Sequence, residues 1–125
     1  MHTIRFYRDP NGVQPAKEYL RTLQLQHGKD ARIQVRQIAS YIQLLADQGL
    51  SLNKKFIDKV NEKYNIWELR PGCNRIFFVA WVDGMFVLLH AFHKKTQKTP
   101  KAEIDRAIRE VIDLRERGLN DEKEE

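Results

Sequence analysis

Arg70, Arg75, Lys94 and Lys95 are the residues of this 125-residue chain whose types and positions best suit chemistry. Each stands at the end or start of an apolar stretch: Glu68-Leu69-Arg70, then Arg75-Ile76-Phe77-Phe78, then Leu89-His90-Ala91-Phe92 running into His93-Lys94-Lys95. In an antiparallel meander, the end of one strand, the start of the next and the end of the third share an edge. Four positive charges gathered there repel one another, and an anion between them relieves the repulsion. Arginine grips phosphate in a bidentate way and stays charged. A lysine among other cations has its pKa pushed down, so it can give or take a proton, and histidine titrates near neutrality. His93 is therefore a further candidate for moving a proton.

Other chemistries lack their residues. No glycine-rich phosphate loop and no H-E-x-x-H spacing is present, and His2, His27, His90 and His93 are scattered. Cys73 has no second cysteine for a disulfide or a thiolate metal site and reads as a buried or half-buried thiol. The expectation is an activity with no metal and no cofactor. RNA admits this, because its own 2′-hydroxyl can attack the adjacent phosphodiester. The protein then has to accept the 2′ proton, stabilise the phosphorane oxygens and protonate the leaving 5′ oxygen. His90, inside an apolar segment, reads instead as a hydrogen-bonded residue of the sheet.

The elements that must position these residues follow from pattern. Thr3 to Arg8 alternates as a short strand and stops at Asp9-Pro10-Asn11-Gly12. Pro15 opens a helix that closes at His27-Gly28, and a second helix runs from Asp30 to Gly49 with Ile38, Tyr41, Ile42 and Leu45 on one stripe. Residues 50–65 are ambiguous, since Lys54, Lys55, Lys59 and Lys63 fit either a near-helical repeat or an extended loop. Strands are expected at 65–70, 74–82 and 85–92, the last two joined by an Asp83-Gly84 hairpin turn. Thr99 is expected to cap a last helix starting at Pro100, with Ile104, Ala107, Ile108, Val111 and Leu114 facing the core and Gly118 as its stop. The order β-α-α-β-β-β-α predicts an α+β fold, with one domain over 1–118 and a frayed acidic tail over 119–125.

Charge points the same way as the site. The net charge is +5, but the last five residues carry −3, leaving +8 on residues 1–120. Between Lys54 and Lys101, ten Lys and Arg face four acids. Such a field steers a polyanion, and Lys54, Lys55, Lys59 and Lys98 are assigned to RNA binding on that ground. No apolar run is long enough to span a membrane and no signal segment opens the chain, so a cytoplasmic protein with no membrane partner is expected.

The motifs E-L-R, R-x-F-F and F-x-K-K-T-x-K-T-P, in this order, resemble the phage-derived branch of the RelE/HigB-type toxins over nearly the whole chain. The resemblance implies a RelE-like fold, a small antiparallel-rich sheet with two N-terminal helices and one C-terminal helix. It implies the toxin of a toxin–antitoxin module, a ribosome-dependent endoribonuclease that cuts messenger RNA in the ribosomal A site without metal. Its partners would be the ribosome and a cognate antitoxin, a helix-turn-helix DNA-binding protein in this branch. By position, Arg70, Arg75, Lys94 and Lys95 match the basic residues that bind and polarise the scissile phosphate, and Glu68 matches a position that can orient Arg70. A C-terminal catalytic tyrosine found in some relatives is missing, because no tyrosine follows Tyr64. The alternative is a ParE-type toxin, which shares the fold and inhibits DNA gyrase by binding.

Overall fold

The computed structural model describes residues 1–119. Its elements are β1 (Thr3–Phe6), α1 (Pro15–Leu25), α2 (Lys29–Gln48), β2 (Ile57–Asn61), β3 (Ile66–Leu69), β4 (Asn74–Ala80), β5 (Met85–His93) and α3 (Lys101–Arg117). The five strands form one sheet in the order β1-β5-β4-β3-β2, with β1 parallel to β5 and every other pair antiparallel. The expected order lacked β2. The lysine-rich segment left ambiguous contains a one-turn 3-10 helix at Gly49–Ser51 and then this edge strand, which carries Lys59.

Side-chain alternation divides the sheet between two cores. Ile76, Phe78, Phe86, Leu88, Ile57 and Leu69 pack on one face with Ala16 and Leu23 of α1 and Ile38 and Leu45 of α2. Ile66, Phe77, Val79, Val87, Leu89 and Phe92 pack on the other with Ala107, Val111 and Leu114 of α3. The central strands β4 and β5 are covered on both faces, which is why their sequences are nearly continuous in apolar residues. Leu119, assigned to the tail by sequence, packs against the α3-side cluster. Residues 120–125 of that tail lie outside the described residues.

The hairpin at Asp83-Gly84 forms as its residues dictate. Both have positive φ, and the Met85 N–H donates to the Val82 carbonyl. The start of α3 differs from expectation by one residue and one role. Pro100 is the extended residue before the helix (φ −62, ψ 138), and Thr99 does not cap it. The Thr99 hydroxyl instead donates to Glu68, 3.1 Å away.

One irregularity governs the end of β5. Ile76 pairs with Ala91 but Phe78 pairs with Leu88, so β5 holds one extra residue opposite β4. Leu89 and His90 thus both face α3, His90 lying 5.3 Å from the Phe77 ring. Beyond the bulge the phase is reversed, with Phe92 on the α3 side beside Arg75 and His93 paired with Asn74.

The β1 end is tied to α3 by polar groups. Tyr7 donates to Asp113 at 2.6 Å, and Arg117 pairs with Asp113 while donating to the Arg8 carbonyl at 2.7 Å. The Arg117 hydrogen bond holds the Asp113 pKa below its ordinary value, with burial opposing and Tyr7 adding to the effect. A carboxylate depressed on folding stabilises fully above its unfolded pKa, and that stability is lost as pH falls through the folded value. Asp113→Asn should therefore cost about 1–2 kcal/mol at neutral pH and should flatten the loss of stability below about pH 4. Urea titrations at pH 7 and pH 3 check this; an unchanged acid slope in the variant would show that Asp113 does not carry the linkage.

Candidate functional site: a cationic cavity at the end of the sheet

The turn joining β3 to β4 and the loop leaving β5 meet at one end of the sheet. Gly72 lies in that turn at φ +61, and a Cβ there would come within 2.5 Å of the Gln37 side chain on α2. The turn therefore favours glycine for its left-handed conformation, while the Gln37 amide end could move aside for a side chain. The Lys94 N–H donates to the Cys73 carbonyl at 2.7 Å, which fastens the start of the β5 loop to the turn. Between them is an open cavity of about 600 Å³ lined by Arg70, Gly72, Cys73, Arg75, Lys94, Lys95, Thr96 and Gln97.

The four cations read from sequence as one cluster all line this cavity. Arg75 is the more buried of the two arginines, its side chain 11% exposed against 27% for Arg70. Its Nη1 donates to the carbonyls of Gly72 at 2.7 Å and Asn74 at 2.8 Å, so it also braces the turn. Burial lowers its pKa, with Glu68 opposing and Arg70 adding to the lowering. Arg70 reaches the Lys54 carbonyl with its Nη1 at 3.0 Å and Glu68 with its Nε at 3.6 Å.

Glu68 lies behind the arginines. Its side chain is 3% exposed, and its Oε2 is 3.6 Å from Arg70 and 4.0 Å from Arg75, while Thr99 donates to Oε1. One buried carboxylate therefore pairs with Arg70, lies at the edge of ion-pair range of Arg75, whose buried Nε makes no hydrogen bond, and accepts from the end of the lysine loop. The sequence signal was an acid at an inward position of β3, two residues from buried Ile66. The resemblance implies only that Glu68 orients Arg70, and the Thr99-Pro100 pattern points to a helix cap; the contacts to Arg75 and between Thr99 and Glu68 are what the structure adds.

His93 does not join the cluster. It is exposed and pairs with Asn74, whose side chain contacts Tyr19 on α1 and Gln34 on α2, so the pair faces the α1–α2 side while Arg75 and Phe92 face α3. Cys73 is exposed on the cavity wall, which corrects the buried or half-buried reading. His90 is buried as expected, its Nδ1 at 2.6 Å from Glu110 and its Nε2 at 2.9 Å from Glu103. Of the flanking lysines, Lys54 and Lys55 adjoin Arg70 through the 53–56 turn. Lys59 lies farther along the β2 edge, paired with Glu62 at 3.6 Å, and Lys98 is exposed in the lysine loop. Among the described residues no cluster of His, Cys, Asp or Glu suits a metal ion, and no helix is long and apolar enough to cross a membrane.

The sheet order, the paired N-terminal helices and the basic end of the sheet define a chain of the RelE and YoeB fold. A YoeB–YefM complex from Staphylococcus aureus contains a chain similar to this one with a TM-score of 0.54 and 13% identity, covering 76% of this chain and 99% of that one. A second structure, a heterotetrameric YoeB–YefM toxin–antitoxin complex from the same organism, matches with a TM-score of 0.52 and 14% identity over 77% of this chain and 98% of the other. An archaeal RelE–RelB complex from Pyrococcus horikoshii matches with a TM-score of 0.51 and 14% identity over 74% and 94%. No curated protein matches by sequence. Residues 18–111 match the family described as phage derived protein Gp49-like, and the chain belongs to that family.

Glu68 is the test of how the site is held. Replacing it with Ala leaves Arg75 largely buried and without its counter-charge. The expected cost is about 2–3 kcal/mol, below the ~3–5 of a fully buried pair because Arg70 reaches solvent. Glu68→Gln should cost less, since it keeps an acceptor for Thr99. Urea denaturation measures both, and an Ala variant as stable as the parent would remove Glu68 from this role.

Proposed function

We propose that this chain is the toxin of a toxin–antitoxin module and that it cuts messenger RNA on the ribosome without a metal ion. The observation that carries the reading is the convergence of Arg70, Arg75, Lys94 and Lys95 on one cavity backed by a single buried acid. Four cations against one carboxylate leave net positive charge facing outward, which suits a phosphodiester. The family and the RelE and YoeB likeness support the toxin assignment, and the neighbours' complexes support an antitoxin as partner.

In the proposed reaction the 2′-oxygen attacks the adjacent phosphorus while the 5′-oxygen leaves, giving a 2′,3′-cyclic phosphate and a 5′-hydroxyl. Arg75, held by Gly72, Asn74 and Glu68, and Arg70 beside it, stabilise the negative charge that grows on the non-bridging oxygens. Fixed guanidinium groups need no reorganisation at that moment. No His, Asp, Glu or Tyr is among the residues lining the cavity. Lys94 and Lys95 are therefore the side chains assigned to proton transfer in preference to His93, with Lys54, Lys55, Lys59 and Lys98 drawing in the RNA. The site is cytoplasmic on this reading, as translation is. The gyrase-binding alternative gains nothing from the comparisons, whose structures contain RelE and YoeB, and gyrase binding does not require convergent cations around a cavity.

Induced expression should arrest growth, and mapped message ends should show cuts within translated frames. Because Arg75 braces the turn, Arg75→Lys is the sounder variant than Ala. Combined with Lys94→Ala it should lower cutting roughly 100-fold or more while leaving the circular dichroism spectrum unchanged. Full cutting by this folded double variant would refute the site, and supercoiling blocked in a purified gyrase assay would favour the alternative.

A further inference from the structure

The β2 edge carries a second feature that the cavity does not absorb. Phe56 and Trp67 are half-buried aromatic rings packed against the α1–α2 core, and each has a lysine on it. The Lys55 Nζ is 5.5 Å from the Phe56 ring centre, and the Lys59 Nζ is 5.1 Å from the Trp67 ring centre. Lys59 and Trp67 are direct partners in the β2–β3 register. The indole N–H donates to Asn65 at 3.3 Å, which fixes the ring in its plane. A lysine can sit over a ring only where that ring turns a face toward solvent.

This pair of rings continues from the cavity. The Arg70 N–H donates to the Phe56 carbonyl at 2.9 Å and the Arg70 side chain to the Lys54 carbonyl. Trp67 lies three residues, about 10 Å, along β3 from Arg70 and on the opposite, α1–α2 face of the sheet, so a strand passing from the cavity to the rings turns round the β2 edge. Lys54, Lys55 and Lys59 thus follow Arg70 round the edge, with an aromatic ring beside two of them. Cations that track a backbone, alternating with ring faces on which bases stack, are what single-stranded nucleic acid requires. An apolar peptide would be ill served by an edge with a lysine over each ring, and an acidic one would not need the rings.

We infer that the Phe56–Trp67 edge is a stacking track for single-stranded RNA, the same strand whose phosphate the cavity holds. The inference rests on the RNA reading of the cavity. When a strand binds, Lys55 and Lys59 leave the ring faces for phosphate oxygens, and bases replace them on Phe56 and Trp67. Lysine suits this exchange because its ammonium is carried on a flexible stem. The track would hold RNA in place beside the cavity and would take no part in the bond breaking.

The test uses the full chain and a fluorescein-labelled 12-nucleotide oligouridylate. The chain has two tryptophans, so Trp81→Phe leaves Trp67 as the sole indole reporter. Saturating RNA should quench its emission. Trp67→Leu, which keeps apolar bulk against the core, should weaken binding roughly tenfold, and Lys59→Gln should flatten the dependence of affinity on salt. Should Trp67→Leu fold poorly, Lys59→Gln on the half-buried edge strand still decides the matter. Unquenched Trp67 together with affinity and salt slope within twofold of the parent would overturn the track. Cutting of messages by the parent alongside that result would leave the proposed function standing; weakened RNA binding by Trp67→Leu with no cutting by the parent would leave the track standing and remove the nuclease.

Discussion

The site depends on one buried carboxylate. Arg70 and Arg75 repel each other, and Lys94 and Lys95 on the facing loop add to that repulsion. Glu68 lies behind them at 3.6 and 4.0 Å from the two guanidinium groups and is nearly excluded from solvent. In that low-dielectric position its charge acts on both arginines more strongly than an exposed acid would. It offsets part of the repulsion without entering the cavity, so the lining stays cationic. A carboxylate in the cavity itself would neutralise the site and repel phosphate.

The bulge in β5 decides which side chains share that site. Without the extra residue opposite Phe77, alternation would run unbroken from Leu88 and would place His93 and Phe92 on the opposite faces from those they occupy. The bulge puts Phe92 on the α3 face beside Arg75, where it meets Phe77 edge-on at 5.3 Å. It also turns His90 into the α3 interface, where both ring nitrogens meet carboxylates. Those contacts dock the first three turns of α3 and hence the end of the loop that bears Lys94, Lys95 and Lys98.

Legibility in the sequence followed burial. β4 and β5 are covered on both faces, so Ile76 to Val79 and Phe86 to Phe92 announce themselves as largely apolar runs, and the cations at their ends could be placed on one edge by topology alone. β2 is an edge strand in which Ile57 is the one buried residue, while Asp58, Lys59, Val60 and Asn61 are half-buried; such a pattern has neither a helical nor a strand period. A bulge adds no residue type of its own, so the phase that carries His93 away from Arg75 could not be read. The Thr99-Pro100 pair was ambiguous for a related reason. A threonine before a proline suits a helix start, but a buried acid lacking a donor competes for the same hydroxyl, and that acid lies thirty-one residues away in sequence.

The loop from Lys94 to Pro100 is exposed along most of its length, yet its two ends are tied. Lys94 is bonded to the Cys73 carbonyl at one end, and Thr99 is bonded to Glu68 at the other, with His90 and Glu103 joining the sheet to the start of α3 just beyond. A short segment pinned at both ends has few conformations to lose when a ligand arrives. The repulsion among the cations is therefore met when the chain folds, by contacts in two cores and one buried acid, and does not have to be met again when a phosphate enters. That places the electrostatic work of the site in the scaffold. It also explains why Glu68 and Thr99, whose contacts hold the cations, are not among the residues lining the cavity.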